Sequence, residues 1–286
     1  MPTSPSIQQA FRQLVESLST HYEPRESRSI ATILFADVFE VRNVQRQDVL
    51  SAPQVEQLNR MSERLLRYEP LQYVLGQADF FGLKFKVNPS VLIPRPETEE
   101  LVALVLERWE ERWDEKRCLL DIGTGTGCIP LSLKRYRPAW EVWGYDVSPA
   151  ALEVAAQNAQ NLDLELHLAE VDILDQSCWP ARSFDLIISN PPYIPPSERR
   201  LMPPQVLRYE PELALFVPEA EADIFYHRIL AFAERHLRTG GQLFFECNEY
   251  RAEAVLGYAL EAGWTGQLEK DMSGKLRMLC LRREVG

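Results

Sequence analysis

The chain has 286 residues, 45% hydrophobic and 26% charged, with a formal net charge of −11, the profile of an ordinary globular protein of about two domains. No stretch approaches the roughly 18 consecutive apolar residues of a membrane span, and the N-terminus lacks the basic-then-apolar pattern of a secretory signal, so no membrane partner is expected. The five cysteines (Cys118, Cys128, Cys178, Cys247 and Cys280) are odd in number and form no CxxC pair, which argues against a disulfide frame or a cysteine metal site and fits a cytoplasmic protein.

Residues 1–75 contain no glycine, and apolar residues recur there at helical spacing: Ile7, Phe11, Leu14 and Leu18, then Ile30, Ile33, Leu34 and Val38, then Leu58, Met61 and Leu65. This predicts a small N-terminal helical bundle that either docks a substrate or covers the next domain. From Gly76 to residue 92 the texture changes, and Phe80–Pro89 alternates after a glycine, predicting a β-hairpin linker. A third region, 93–286, begins within the stretch Leu92-Ile93-Pro94-Arg95-Pro96-Glu97-Thr98-Glu99. Its prolines stiffen the entry to a helix that Thr98 is placed to cap. That stiff loop is either a wall of a site or a plain helix start.

After Lys116 strands and helices alternate. Strands are expected at 118–122, 140–147, 164–171, 184–190 and 242–247. Helices are expected at 128–136, 149–161, 222–237 (ending near Gly240-Gly241) and 251–262. Such alternation demands a doubly wound, mostly parallel sheet with right-handed crossovers. Two last strands, 266–271 and 276–282, flank Ser273-Gly274 and add an antiparallel strand at one edge. A long proline-rich loop fills 191–218.

The first strand runs into Asp121-Ile122-Gly123-Thr124-Gly125-Thr126-Gly127. Glycines permit the positive φ and close approach of a turn that hugs a ligand. A dinucleotide fingerprint needs glycine where Cys128 stands, and no Lys-Ser/Thr pair follows to make a phosphate loop. A GxGxG turn behind an acid suits a ligand with an amino-acid end, whose ammonium Asp121 meets directly or through water. Asp146 ends the second strand, where ribose hydroxyls can donate to it. Asp172 ends the third, placed to accept from an adenine amino group, with Ile173 against the ring. Ammonium, ribose and adenine in that order describe S-adenosyl-L-methionine. The plain alternative for each aspartate taken singly is a surface residue at a strand end.

The strand Phe184–Ser189 stops at Asn190-Pro191-Pro192-Tyr193. Neither proline can donate to a ladder, and the residue before a proline is held extended. Asn190 therefore projects at the carboxyl end of a strand, where open α/β sheets bind ligands. The Asn190 side-chain oxygen, carbonyls left without donors and the flat face of Tyr193 suit a planar group bearing an NH₂. A proline-rich turn that merely ends a strand is the alternative.

Together these motifs resemble the protein-(glutamine-N5) methyltransferase family specific for peptide chain release factors (the PrmC/HemK family). The likeness runs from Glu69-Pro70-Leu71-Gln72-Tyr73 to the C-terminus. It takes in Ile93-Pro94-Arg95-Pro96-Glu97-Thr98-Glu99, the glycine turn, Asn190–Tyr193 with Ile194, Tyr209-Glu210-Pro211, and Lys270–Gly274 with Arg277. The resemblance implies an S-adenosylmethionine-dependent methyltransferase (Rossmann-like) α/β fold beside the helical bundle. It implies cofactor binding by Gly123–Gly127, Asp146 and Ile173. It implies catalysis and glutamine binding by Asn190, Pro191, Pro192 and Tyr193, with Asn190 touching both ligands. The implied reaction is methyl transfer from S-adenosyl-L-methionine to the glutamine amide nitrogen of a release factor's Gly-Gly-Gln motif.

Two other readings share these motifs. One is a nucleic-acid adenine-N6 methyltransferase acting on a flipped base. The other is a non-catalytic module that binds S-adenosylmethionine. Charge weighs against the first: residues 1–77 carry 8 basic and 9 acidic side chains, and 78–286 carry 23 and 33. So acidic a second half is ill suited to neutralising phosphates, and no direct nucleic-acid contact is expected.

Overall fold

The computed structural model describes residues 4–109 and 114–283; the outer ends of the two expected domains, 1–3 and 284–286, lie outside the described residues. The chain divides into two compact units. One runs up to Gln77 and includes Pro203–Tyr209; the other comprises Ala78–Met202 and everything from Glu210 onward.

The first unit is helical: α1 (Ile7–Leu18), α2 (Pro24–Phe39), α3 (Ala52–Leu65) and α4 (Leu71–Leu75). α1 begins with a reciprocal cap in which Ser6 Oγ accepts from Gln9 N at 3.2 Å and Gln9 Oε1 accepts from Ser6 N at 2.9 Å. Two backbone donors that a helix start leaves unpaired are thereby satisfied. Most of the periodic residues form the core, with Leu14, Leu18, Leu34 and Leu65 buried beside Phe35, whereas Ile33 is 42% exposed. Within the long proline-rich loop a short helix, α8 (Pro204–Tyr209), belongs to this unit. Its Tyr209 hydroxyl donates to the Arg67 carbonyl at 2.8 Å.

Next in the chain is the hairpin β1 (Gln77–Phe80) and β2 (Leu83–Lys86), turned by Phe81 and Gly82 at φ of 49° and 74°, and the second unit begins within it at Ala78. Then come α5 (Pro96–Arg108), β3 (Cys118–Ile122), α6 (Cys128–Tyr136), β4 (Glu141–Asp146), α7 (Pro149–Leu162), β5 (His167–Glu170) and β6 (Phe184–Ser189). After the loop follow α9 (Ile224–His236), β7 (Leu237–Glu246), α10 (Ala252–Glu261), β8 (Trp264–Lys270) and β9 (Leu276–Arg283). Among the described residues the strands form a seven-stranded sheet in the order β5-β4-β3-β6-β7-β9-β8. β3 to β7 are parallel, and β9 lies antiparallel to both its neighbours. The terminal hairpin thus forms one edge, its antiparallel strand being the inner of the two.

Both faces of the sheet are covered, so β6 is buried along its whole length. Alternate side chains serve opposite cores. Leu186 and Ile188 pack with Leu101 and Val105 of α5, Leu131 of α6 and Phe80 and Phe85 of the hairpin. Ile187 packs with Ile229 and Phe232 of α9 and Val255 of α10. An apolar run without alternation is what a two-sided parallel strand requires. No described helix is long and apolar enough to cross a membrane.

Three expectations are corrected. α5 starts at Pro96 with Arg95 at its cap position, so Thr98 lies in the first turn and caps nothing. β5 spans only His167–Glu170, because Leu164 is still tied to the end of α7 by a hydrogen bond to the Ala159 carbonyl. α9 ends at His236, and Gly240-Gly241 sit inside β7 where its register against β6 shifts. Gly240 has φ of +76°, and a Cβ on Gly241 would lie 2.8 Å from the Asp185 carbonyl. The glycines serve a bulge, where positive φ and close backbone approach are needed.

Candidate active site

From β3 the chain winds outward through β4 and β5, then returns to place β6 on the other side of β3. The reversal opens a crevice at the carboxyl ends of β3 and β6, where such sheets bind ligands. Ser189, the last residue of β6, fixes this edge by donating to the Ile122 carbonyl at 2.7 Å.

At the end of β3 the backbone swings over the edge in a turn with φ of +75° at Gly123 and +51° at Gly125. Gly123 N and Thr124 N both donate to the Tyr145 carbonyl, at 2.8 and 3.0 Å, tying the turn to β4. Among the described residues, no atom beyond the adjoining residues lies within 4 Å of where a Cβ would stand on Gly123 or Gly125. Gly127 is different: a Cβ there would meet Leu131, Leu166 and Ala155 at 3.2–3.3 Å, so it is a packing residue. Asp146, at the tip of β4, accepts from Gly125 N and Ser148 N, each at 2.9 Å, and burial raises its pKa.

A cavity of about 380 Å³ occupies the crevice, within the range of small-molecule sites. Of the residues singled out in the sequence, Gly123, Gly125, Asp146, Asp172, Ile173, Asn190, Pro191 and Pro192 line it. Asp121, Thr124, Thr126, Gly127 and Tyr193 do not. Thr126 is turned inward, its hydroxyl accepting from Cys128 N at 3.2 Å. The wall across from the strands consists of Val91 and Leu92 with Pro211, Leu213 and Ala214, and α9 contributes Phe225 and Ile229. The stiff entry loop thus does supply a wall, from residues just before its prolines.

Asp121 stands directly behind the turn, only 1% exposed. Neither of its carboxylate oxygens, nor the Thr124 hydroxyl beside it, has a well-formed hydrogen bond among the described residues. Burial, reinforced by the charge of Asp146, pushes Asp121 up to about 7. Thr124 beside it opposes that shift only in part, so the carboxyl either keeps its proton or is stabilised by a cation. An ammonium group brought by a ligand is one that fits beside a glycine turn with open space above it.

The tip of β6 is held from behind. Asn190 Nδ2 donates to Thr98 Oγ1 at 3.2 Å, and Thr98 Oγ1 donates to Glu246 Oε2, at the end of β7, at 2.6 Å. Glu246 is 2% exposed, and burial pushes it up to about 7 although Arg277 and Arg95 oppose the shift. Tyr193 packs against the core beneath α9 and feels the charges of Glu246, Arg277 and Arg95; burial raises its pKa. A second support lies at the wall, where buried Glu210 accepts from Arg95 Nη2 at 2.7 Å and from Ile93 N at 3.2 Å.

Sequence reasoning missed Thr98 and Glu246 as neighbours of Asn190, and Glu210 as the anchor of the wall. The signal for Glu246 was its place at the carboxyl end of a parallel strand, the rule that pointed to Asp146 and Asn190. It also missed Asn158 of α7, wholly buried, which donates to the Thr126 and Lys86 carbonyls at 2.9 and 3.0 Å and accepts from Lys86 N at 2.6 Å. That amide ties the glycine turn to β2.

Two family descriptions match the chain: PrmC N-terminal domain over residues 4–76 and Methyltransferase small domain over residues 98–202. A release factor glutamine methyltransferase of Bacteroides thetaiotaomicron is 38% identical over 273 residues, covering 94% of this chain and 97% of the relative. The protein of the same name from Flavobacterium psychrophilum is 36% identical, covering 93% and 95%. Among solved structures, a methyltransferase from Pyrococcus furiosus shares the fold, with a TM-score of 0.51 at 19% identity, covering 78% of this chain and 96% of that one.

Proposed function

The chain belongs to the release factor glutamine methyltransferase family, and from that premise we propose that it methylates the N5 side-chain amide nitrogen of the Gly-Gly-Gln glutamine in peptide chain release factors, using S-adenosyl-L-methionine. The observation that carries the reading is the position of Asn190. It lines the cavity bounded by Gly123, Gly125, Asp146 and Asp172, and it stands at the head of an acceptor-rich tip.

The cavity suits the cofactor on the protein's own terms. Asp121 is a buried carboxylate awaiting a cation, Gly123 and Gly125 leave room for close approach, and Asp146 and Asp172 present carboxylates at successive strand ends to hydroxyl and amino donors. Ile173 supplies an apolar face. When bound, S-adenosylmethionine supplies an electrophilic methyl group on a sulfonium, so no further activation of that partner is needed.

The residues of the tip then act on the acceptor. An amide nitrogen is a weak nucleophile because its lone pair is delocalised. Asn190 Oδ1 and the Pro191 carbonyl accept its two hydrogens, favouring positive charge on the nitrogen as it attacks and fixing the direction of its lone pair. As the N–CH₃ bond forms the S–CH₃ bond breaks, S-adenosyl-L-homocysteine is the leaving group, and one N–H proton is lost to solvent after transfer. Tyr193, which does not line the cavity and packs partly buried against the core, supports the tip. Holding the reacting groups in place is worth up to roughly 7–11 kcal/mol in well-oriented systems. The first unit is read as the part that docks the protein substrate.

The test is a three-arm incubation with methyl-labelled S-adenosylmethionine and a release factor, duplex DNA, or no acceptor, followed by mapping of the label. The expected result is label on one glutamine of the release factor alone. Label on adenine would support base methylation, and cofactor binding without transfer in any arm would support a binding module; either outcome overturns the proposal.

A further inference from the structure

Three elements meet behind the tip: α5 brings Thr98, the end of β6 brings Asn190 and the end of β7 brings Glu246. The hydrogen bonds run in one direction, Asn190 Nδ2 to Thr98 Oγ1 at 3.2 Å and Thr98 Oγ1 to Glu246 Oε2 at 2.6 Å. Thr98 is 4% exposed and Glu246 2%, so water does not compete at either site.

Counting donors decides the geometry. A hydroxyl has one hydrogen, and an ionised carboxylate only accepts. With its hydrogen committed to Glu246, Thr98 can offer Asn190 nothing but lone pairs, and only the amide N–H₂ can meet them. The Asn190 oxygen is therefore turned away from Thr98. A side-chain amide rotated by half a turn has almost the same shape, so packing alone does not choose between its two ends. In the wrong orientation it would present hydrogens to the hydrogens of a substrate amide.

We propose that Thr98 and Glu246 are positioning residues that select the orientation of the Asn190 amide, so that Oδ1 is the atom offered to the glutamine amide of the substrate. This rests on the reading of Asn190 as the glutamine-binding residue. The pair acts through the protonation state of Glu246. Around that carboxyl stand Arg95 and Glu97 from the start of α5, Arg277 from β9, Tyr193 from the tip, and Tyr226 of α9, whose hydroxyl reaches the Glu246 carbonyl at 3.3 Å. The two arginines favour the carboxylate, while burial and Glu97 oppose it. Once protonated, Glu246 can donate to Thr98, the Thr98 hydrogen is released to Asn190 Oδ1, and the amide loses its preference. Methyl transfer should then fall at acidic pH, with a limb near pH 7, where burial places this group.

The experiment compares wild type with Thr98→Val, which keeps the shape and deletes the hydroxyl, Thr98→Ser, which restores it, and Glu246→Gln, which cannot titrate. Single-turnover methylation of a release factor is measured from pH 5.5 to 8.5, beside cofactor affinity and thermal unfolding. S-adenosylmethionine is supplied at concentrations that saturate the enzyme at every pH, which keeps titration of Asp121 out of the rate. Thr98→Val is expected to lose at least about tenfold in rate at pH 8, with cofactor affinity within about twofold and no acid limb. Thr98→Ser is expected to stay within about threefold of wild type and keep the limb. Thr98→Val turning over at the wild-type rate, or Thr98→Ser as impaired as Thr98→Val, overturns the proposal. Should Thr98→Val fail to fold, Glu246→Gln decides: loss of the acid limb supports the mechanism, and an unchanged limb refutes it. A wild-type enzyme that leaves the release factor unlabelled refutes the functional reading itself, a result separate from any of these.

Discussion

Asp121 shows most plainly what this sheet edge is built for. A carboxylate 1% exposed and without a good hydrogen bond is costly when ionised. Burial raises its pKa from 3.8 to about 7, and Glu246 rises from 4.5 to about 7 for the same first reason. A raised carboxyl pKa means that the folded state holds its proton after the unfolded chain has lost it. Their contribution to the stability of the cofactor-free protein should therefore be whole below about pH 4 and fall as pH rises to 7. The share belonging to Asp121 is on the order of 2–4 kcal/mol. Asp121→Asn is expected to flatten that decline in urea melts between pH 5 and 8 and to weaken cofactor binding. The same slope in variant and wild type would show that Asp121 ionises no later in the folded protein than in the unfolded chain. The places of Asp121, Asp146, Asp172 and Asn190 at or just beyond strand ends were legible because a βα alternation marks those ends. Thr98 was not: a threonine beside acidic residues at a helix start has the composition of a cap, and only the fold reveals that its hydroxyl points to a strand 148 residues away.

At the scale of elements, the entry loop and the loop after the tip make one wall because Glu210 joins them. Its side chain is 1% exposed and takes one hydrogen bond from Arg95 and another from Ile93 N. Removing the guanidinium leaves a buried carboxylate half satisfied, which in fully buried pairs costs about 3–5 kcal/mol; with Arg95 itself a third exposed, about 2–3 kcal/mol is expected of Arg95→Ala. Since Leu92 and Pro211 line the cavity, cofactor affinity should fall as well. Denaturant melts and a cofactor titration check both, and a variant as stable as wild type would remove Glu210 from this role. Helices and strands with strong periodicity were readable from the sequence. Local composition misled at Gly240-Gly241, which read as a helix end and instead form a bulge within β7. It also misled in the proline-rich loop, whose Pro204–Tyr209 folds as a helix.

At the scale of the whole molecule, the doubly wound sheet followed from the alternation alone, since right-handed crossovers leave few ways to wind it. The terminal strand pair was expected at an edge, but the insertion of β9 between β7 and β8 depends on pairing that no local pattern encodes. The same is true of Pro203–Tyr209, which the chain contributes to the first unit some 130 residues after leaving it at Gln77. What the fold brings together is a glycine turn, a set of strand-end carboxylates and Asn190 around one cavity. In the proposed reaction Asn190 acts upon the substrate amide more than upon the cofactor. Asn190→Ala, assayed by single-turnover methylation of a release factor alongside direct titration with S-adenosylmethionine, tests this most directly. Transfer should slow by about 100-fold or more while cofactor affinity stays within about threefold. Parallel loss of both, or an undiminished rate, would contradict the account.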